Sequence, residues 1–223
     1  MGAAVTIPMG PSPAPNTCWL HLVRHGATDN NRARPPRLQG RRTDPALSNE
    51  GHQQAEATGR LLAGAPIDAV FASPLLRARQ TAEAIARPHG LEVQPVDDLI
   101  EVDVGDWEGR PWDEVERANP EIYRAFMADA SVNPYLGGEN LQTVFDRSGP
   151  AFERLFQQNL GRVIVAVAHN VVNRTYLASL LGLPLAKYRS VPQDNCGANL
   201  LRYRDGKVKA VTLNAVLHLW GLS

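Results

Sequence analysis

From Thr17 onward the chain alternates between short β-type runs and longer stretches with helical spacing. The first run, Thr17 to Arg24, carries Trp19, Leu20, Leu22 and Val23 and predicts a strand that leads directly into the loop His25-Gly26. Ser48 is an N-cap candidate for a helix whose apolar and small residues recur through Ala55, Leu61 and Leu62 until Gly64. A strand is predicted over Ile67 to Phe71, after which Ser73-Pro74 opens a second helix that Pro88 ends. Proline is harmless so early in a helix because its missing N–H would have no partner there. Glu92 to Val96 reads as a short strand, and Glu101 to Gly138 as an irregular stretch of Gly, Pro and Trp with weak helical patches. A helix from Leu141 to about Asn159, the strongly apolar strand Arg162 to Ala168, and a helix from Val171 to Leu181 closed by Gly182 and Pro184 come next. Two strand candidates, Ala198 to Tyr203 and Val208 to Leu213, complete the pattern.

Strands alternating with helices imply an α/β fold, a three-layer α/β/α sandwich with a mainly parallel sheet. In such sheets ligands bind beyond the carboxyl ends of strands, which is where Arg24-His25 and His169 both fall. The irregular stretch, about residues 101–138, is expected to be a small cap insertion. Residues 1–16, with Pro8, Pro11, Pro13 and Pro15, read as a flexible Pro-rich leader ahead of a single domain over 17–223.

Composition removes several function classes. Lys plus Arg and Asp plus Glu both total 23, so no global charge attracts nucleic acid or an anionic membrane. The apolar run Val163 to Ala168 is far short of the ~20 residues that span a bilayer, and no charged region precedes an apolar stretch at the N-terminus. A soluble, cytoplasmic protein is expected, with Cys18 and Cys196 as ordinary buried thiols. No coiled-coil heptad sets an oligomeric state.

The chemistry begins in LVRHGATDNN, where an imidazole sits beside a guanidinium in the turn after a strand and Gly26 permits close backbone approach to a ligand. Further motifs follow in order: LQG at Leu38 to Gly40, DPALS at Asp44 to Ser48, SPLLRARQTA from Ser73, EVDVGDWEG from Glu101, GGE at Gly137 to Glu139, and VAHN ending at Asn170. Neither GxxxxGK[ST] nor GxGxxG occurs, which argues against an NTPase or a dinucleotide enzyme.

In these motifs the chain resembles the histidine phosphatase superfamily, also called the phosphoglycerate mutase-like family, from about Trp19 to Leu219. The resemblance implies hydrolysis of a small phosphorylated substrate through a phosphohistidine on His25, with no metal and no cofactor. Arg24, Arg77 and His169 would surround the transferred group, Asn31 would donate to the same oxygens, and Glu101 would protonate the leaving group. Thr28, Gln39, Gly40 and Asn170 are the remaining substrate-binding candidates, although Asn170 could equally cap the helix beginning at Val171. A mutase that returns the phosphoryl group to a bound acid, and a non-catalytic phospho-ligand module, are the alternatives.

Phosphoryl transfer spreads negative charge over the equatorial oxygens, so it needs fixed positive donors. Arginine supplies planar paired donors, and the amides of the helix after His169 would add to them. The same positive field keeps His25 neutral and nucleophilic, whereas Glu101 must hold a proton. The tract Arg32, Arg34, Arg37, Arg41 and Arg42 is expected to place one or two arginines, Arg37 and Arg41 foremost, in the cleft, favouring a substrate with a second anionic group.

Overall fold

A computed structural model describes residues 13–222, so most of the leader expected at 1–16 lies outside the described residues. Its centre is a six-stranded sheet of β1 (Thr17–Arg24), β2 (Ala69–Ala72), β3 (Val93–Pro95), β4 (Val163–Ala168), β5 (Ala198–Arg204) and β6 (Lys207–Ala215). The order is β3-β2-β4-β1-β5-β6. Strands β3, β2, β4 and β1 run parallel, while β5 and β6 add antiparallel to one edge. The mainly parallel sheet anticipated from sequence is therefore present.

The two-residue strand period divides the core into two faces. Leu20, Leu22, Phe71, Ile164, Ala166 and Ala168 point to one face and meet α6 (Leu141–Gln158) and α7 (Asn170–Leu180). Val23, Val70, Ala72, Val163, Val165 and Val167 point to the other, covered by α2 (Asn49–Leu62) and α3 (Leu76–Ala86). β4 is buried along its whole length because helices cover both sides of it, which explains its unbroken apolar run.

Residues 101–138 contain α4 (Trp112–Ala118) and α5 (Pro120–Ala128); a four-residue helix, α1 (Asp29–Arg32), follows the His25 loop. Trp107 packs edge-on against Phe126 and Tyr135, all three rings lie within 5.8 Å of one another, and they join the core cluster on the α6/α7 face. The irregular stretch is thus anchored by aromatic burial rather than by regular structure. Among the described residues, no helix is long and apolar enough to cross a membrane.

Most boundaries shift by one or two residues from the sequence expectation, and three of the shifts bear on the site. β2 covers Ala69–Ala72, not Ile67 to Phe71. α3 starts at Leu76, not at Ser73-Pro74, because its first amide is capped by the distant Asp44 (2.8 Å), which leaves Ser73 free for another task. α7 begins at Asn170 with His169 in the N-cap position, so Asn170 does not cap a helix starting at Val171.

Candidate active site

The His25 loop is held by a complete set of backbone hydrogen bonds. The His25 amide donates to the Ala168 carbonyl (3.0 Å), Gly26 to Thr81 Oγ1 (3.0 Å), Ala27 to Gln54 Oε1 (2.9 Å) and Thr28 to Asn31 Oδ1 (3.1 Å). Ser48, which caps α2 by accepting from the Gly51 amide, donates its hydroxyl to the Ala27 carbonyl at 3.0 Å. With every amide of the loop occupied, an anion here must be met by side chains.

Gly26 serves this packing rather than ligand approach, a correction to the sequence reading. A Cβ on Gly26 would stand 2.5 Å from the Gly51 carbonyl oxygen, and one on Gly51 only 2.0 Å from that of Ala27. Two glycines in contact let the loop rest on the first turn of α2.

The loop fixes the His25 tautomer. Its Nδ1 lies 2.7 Å from the Gly26 carbonyl oxygen, which can only accept, so Nδ1 carries the proton and Nε2 keeps its lone pair. Burial, reinforced by Arg77 and Arg24, holds the ring well below the ordinary histidine pKa. The imidazole is therefore neutral at pH 7. His169 lies beside it, with ring centroids 5.1 Å apart; its Nε2 contacts the Ser73 hydroxyl at 2.7 Å, leaving Nδ1 buried without a partner.

Two arginines complete the floor. Arg77 is fully buried and donates to the carbonyls of Gly40 (2.8 Å) and Thr43 (3.3 Å), while its Nε has no partner. Arg24 donates to the Gln193 carbonyl at 2.7 Å and likewise keeps an unpartnered buried Nε. Burial lowers the Arg24 pKa to about 10, which still leaves it cationic at neutral pH. Such buried, half-satisfied cations are costly unless an anion joins them.

Glu101 is buried on the cap side of the same cavity, its oxygens accepting from the amides of Val102 (2.9 Å) and Val171 (3.2 Å). Burial raises its pKa, and the Val102 hydrogen bond, Arg77 and the Val171 hydrogen bond oppose the rise. The amide at the start of α7, expected to serve phosphate, is thus committed to this carboxylate. Arg147 supports the segment by donating to the carbonyls of Asp98 (2.8 Å), Ile100 (2.6 Å) and Glu101 (3.1 Å) while pairing with Glu139.

Next to these groups lies a cavity of about 680 Å³, which the fully buried Arg77 and His169 do not line. Arg24, His25, Asn31, Gln39, Glu101 and Asn170 line it directly. Asn31 spends its carbonyl oxygen on Thr28 and Asn195, which leaves Nδ2 as its donor. The buried Asn170 Oδ1 has no partner. Thr28 and Gly40 do not line the cavity, contrary to expectation. Thr28 is fully buried with its hydroxyl on Gln39 (2.6 Å), and Gly40 is pressed so close to the Val102 carbonyl that a Cβ would stand 2.5 Å from it. Of the basic tract, only Arg37 reaches the cavity. Arg41 and Arg42 turn away because Asp103, Asp106 and Glu139 neutralise them.

Sequence reasoning missed Trp112, Tyr135, Arg174, Tyr188, Arg189 and Asn195, which also line the cavity. Arg174 had a signal: it follows Asn170 by four residues on a predicted helix and so shares its face. Asn195 donates to the His25 carbonyl at 2.9 Å from a loop with no such signal.

Comparison with known proteins agrees with this geometry. The chain is 32% identical over 200 residues to phosphoserine phosphatase 1 of Hydrogenobacter thermophilus, covering 90% of this chain and 93% of that one. It is 32% identical over 196 residues to a wheat (Triticum aestivum) 2-carboxy-D-arabinitol-1-phosphatase; the match takes in 86% of this chain but only 39% of that longer protein. A phosphoserine phosphatase from Entamoeba histolytica, solved with 3-phosphoglyceric acid, superposes with a TM-score of 0.81 at 28% identity, covering 91% of this chain and 99% of that one. A family model matches residues 20–216, from within β1 to the end of the sheet, and with it every motif around His25 and His169: the chain belongs to the histidine phosphatase superfamily, branch 1.

Proposed function

We propose that this protein hydrolyses small phosphomonoesters through a phosphohistidine on His25. One observation carries the reading: a buried imidazole, fixed by Gly26 as the Nδ1–H tautomer, faces a cavity beside the partly unsatisfied guanidinium groups of Arg24 and Arg77.

In this reading His25 Nε2 attacks phosphorus in line with the ester oxygen. Arg24 and Arg77 neutralise the equatorial oxygens, and His169 and Asn31 Nδ2 add neutral donors. Glu101, whose pKa burial raises, gives its proton to the departing alkoxide. The resulting carboxylate takes a proton from water as the water oxygen attacks the phosphohistidine; inorganic phosphate leaves and Glu101 is protonated again. The two arginines supply the charge compensation that a metal gives elsewhere. We assign the reaction to one domain, residues 17–223, with residues 101–138 as its cap, and to the cytoplasm, in keeping with the free thiols of Cys18 and Cys196.

The test is phosphate release from a panel of monoesters in EDTA. The wild type should release phosphate, and His25→Ala should lose at least about a thousandfold in kcat/KM. Equal rates in both proteins, or interconversion of 3- and 2-phosphoglycerate without phosphate release, would overturn the proposal.

A further inference from the structure

Besides the exposed Arg37 at its mouth, the cavity presents two half-buried guanidinium groups that this mechanism does not use. Arg174 lies one turn beyond Asn170 on α7, and Arg189 ends the short 3-10 turn Leu185–Ser190; both line the wall that runs from the reaction centre toward the cap. Among the described residues neither has an ion-pair partner, and the buried Arg174 Nε and Arg189 Nη2 have no hydrogen-bond partner at all. Arg147, also half-buried, has every donor occupied by Glu139 and backbone carbonyls. The difference matters, because donors shielded from water and left unpaired are retained against a free-energy cost.

Arg189 is also held in place. Its guanidinium stacks over Tyr188, Phe126 and Trp112 at 4.8, 5.3 and 5.7 Å from the ring centroids. These contacts fix the plane of the fork without consuming its donors. Arg174 lies close enough to feel the charge of Arg189, and Arg24 close enough to feel that of Arg174, so positive charge continues from the phosphoryl site along one wall. Of the carboxylates lining the cavity, Glu101 is bound to backbone amides and Asp113 is paired with Arg117 at 3.1 Å. Neither forms an ion pair with Arg174 or Arg189, although the charges of Asp194 and Glu101 act on Arg174 from a distance.

We propose that Arg174 and Arg189 form a second anion subsite that takes a carboxylate or a further phosphate on the substrate, making the enzyme selective for doubly anionic small phosphomonoesters. The proposal rests on the phosphatase reading for its turnover assay, but the subsite is defined by the two arginines and can be tested without turnover. Of the tract from Arg32 to Arg42, expected to place one or two arginines in the cleft, Arg37 does line the cavity, whereas Arg41 is paired with Asp103 and Glu139.

Matched substrates separate the anions. Glycerol 3-phosphate and 3-phosphoglycerate differ by one carboxylate; fructose 6-phosphate and fructose 1,6-bisphosphate differ by one phosphate. Wild type should prefer the doubly anionic member of at least one pair by about tenfold or more in kcat/KM. A carboxylate subsite enlarges the first ratio, a phosphate subsite the second. In Arg174→Gln and Arg189→Gln the loss should fall on that member about ten times more heavily than on its partner, with Lys at either position recovering part of the preference. Ratios near one in wild type, or ratios the variants leave intact, would overturn the subsite. If no ester is hydrolysed, the phosphatase reading fails instead, and calorimetry then decides the subsite. Tighter binding of 3-phosphoglycerate or fructose 1,6-bisphosphate than of its matched partner, lost in Arg189→Gln, would support it, and equal binding would refute it.

Discussion

Replacing Arg147 with Met should both destabilise the protein and impair its handling of leaving groups that need a proton. The guanidinium uses all five N–H donors: Nε and one Nη2 hydrogen on Glu139 (3.1 and 3.3 Å), two from Nη1 on the carbonyls of Asp98 and Ile100, and the second from Nη2 on that of Glu101. The Glu139 side chain is only 10% exposed, and its other close contacts are the Asp103 amide at 2.8 Å and Arg41 at 3.6 Å. Met preserves the length of the side chain but leaves a largely buried carboxylate without its bidentate partner and three carbonyls without a donor. Breaking such a pair costs about 3–5 kcal/mol. In a chain of this size each kcal/mol moves Tm by about 2–4 °C, so calorimetry should find a fall on the order of 10 °C. The clamp also fixes the backbone of Glu101, so a looser carboxyl should lower kcat for alkyl phosphates by about 10- to 100-fold. p-Nitrophenyl phosphate, whose phenolate leaves without a proton, should lose far less. A Tm within 2 °C of wild type would refute the energetic reasoning, given the about 2–4 °C expected per kcal/mol. A large fall in Tm with an unchanged alkyl-to-aryl ratio would refute the positioning role.

Acid should destabilise the fold through its buried imidazoles. Burial lowers the His21 pKa to about 4 and holds His25 and His169 well below the ordinary value, so the unfolded chain binds more protons as pH drops below 6.5. The stability is complete above about pH 6.5 and lost as pH falls; at about 1.4 kcal/mol per pH unit His21 alone accounts for about 3 kcal/mol by pH 4. Glu101, with its raised pKa, acts in the opposite sense, its contribution fading as pH rises. A Tm that stays level between pH 6.5 and 4 would contradict this. Gly51→Ala should cost about 1–3 kcal/mol and lower kcat/KM, because the new Cβ would stand 2.0 Å from the Ala27 carbonyl and must displace the His25 loop. Wild-type kinetics and Tm in that variant would show that the loop yields without consequence.

What the sequence revealed was what depends on near neighbours along the chain. β1, α2, β4 and α6 were legible because strand period, the Ser48 cap and unbroken apolar runs are local signals. The start of α3 was not, since its capping carboxylate belongs to Asp44 in another loop, while Ser73 meets His169 instead. The same distinction governs the charges. A sequence shows how many arginines lie near a motif but not which of them are already neutralised. Arg41 and Arg42 stood beside the nucleophile loop in sequence, yet carboxylates from the cap segment claim both. Arg174 carried only its spacing from Asn170 and Arg189 no signal at all, and both became visible as ligand-seeking groups once the fold set them in the cavity with no ion-pair partner. Specificity in a charge-lined site is therefore a property of the unsatisfied donors, and that remainder exists only after every long-range pair has formed.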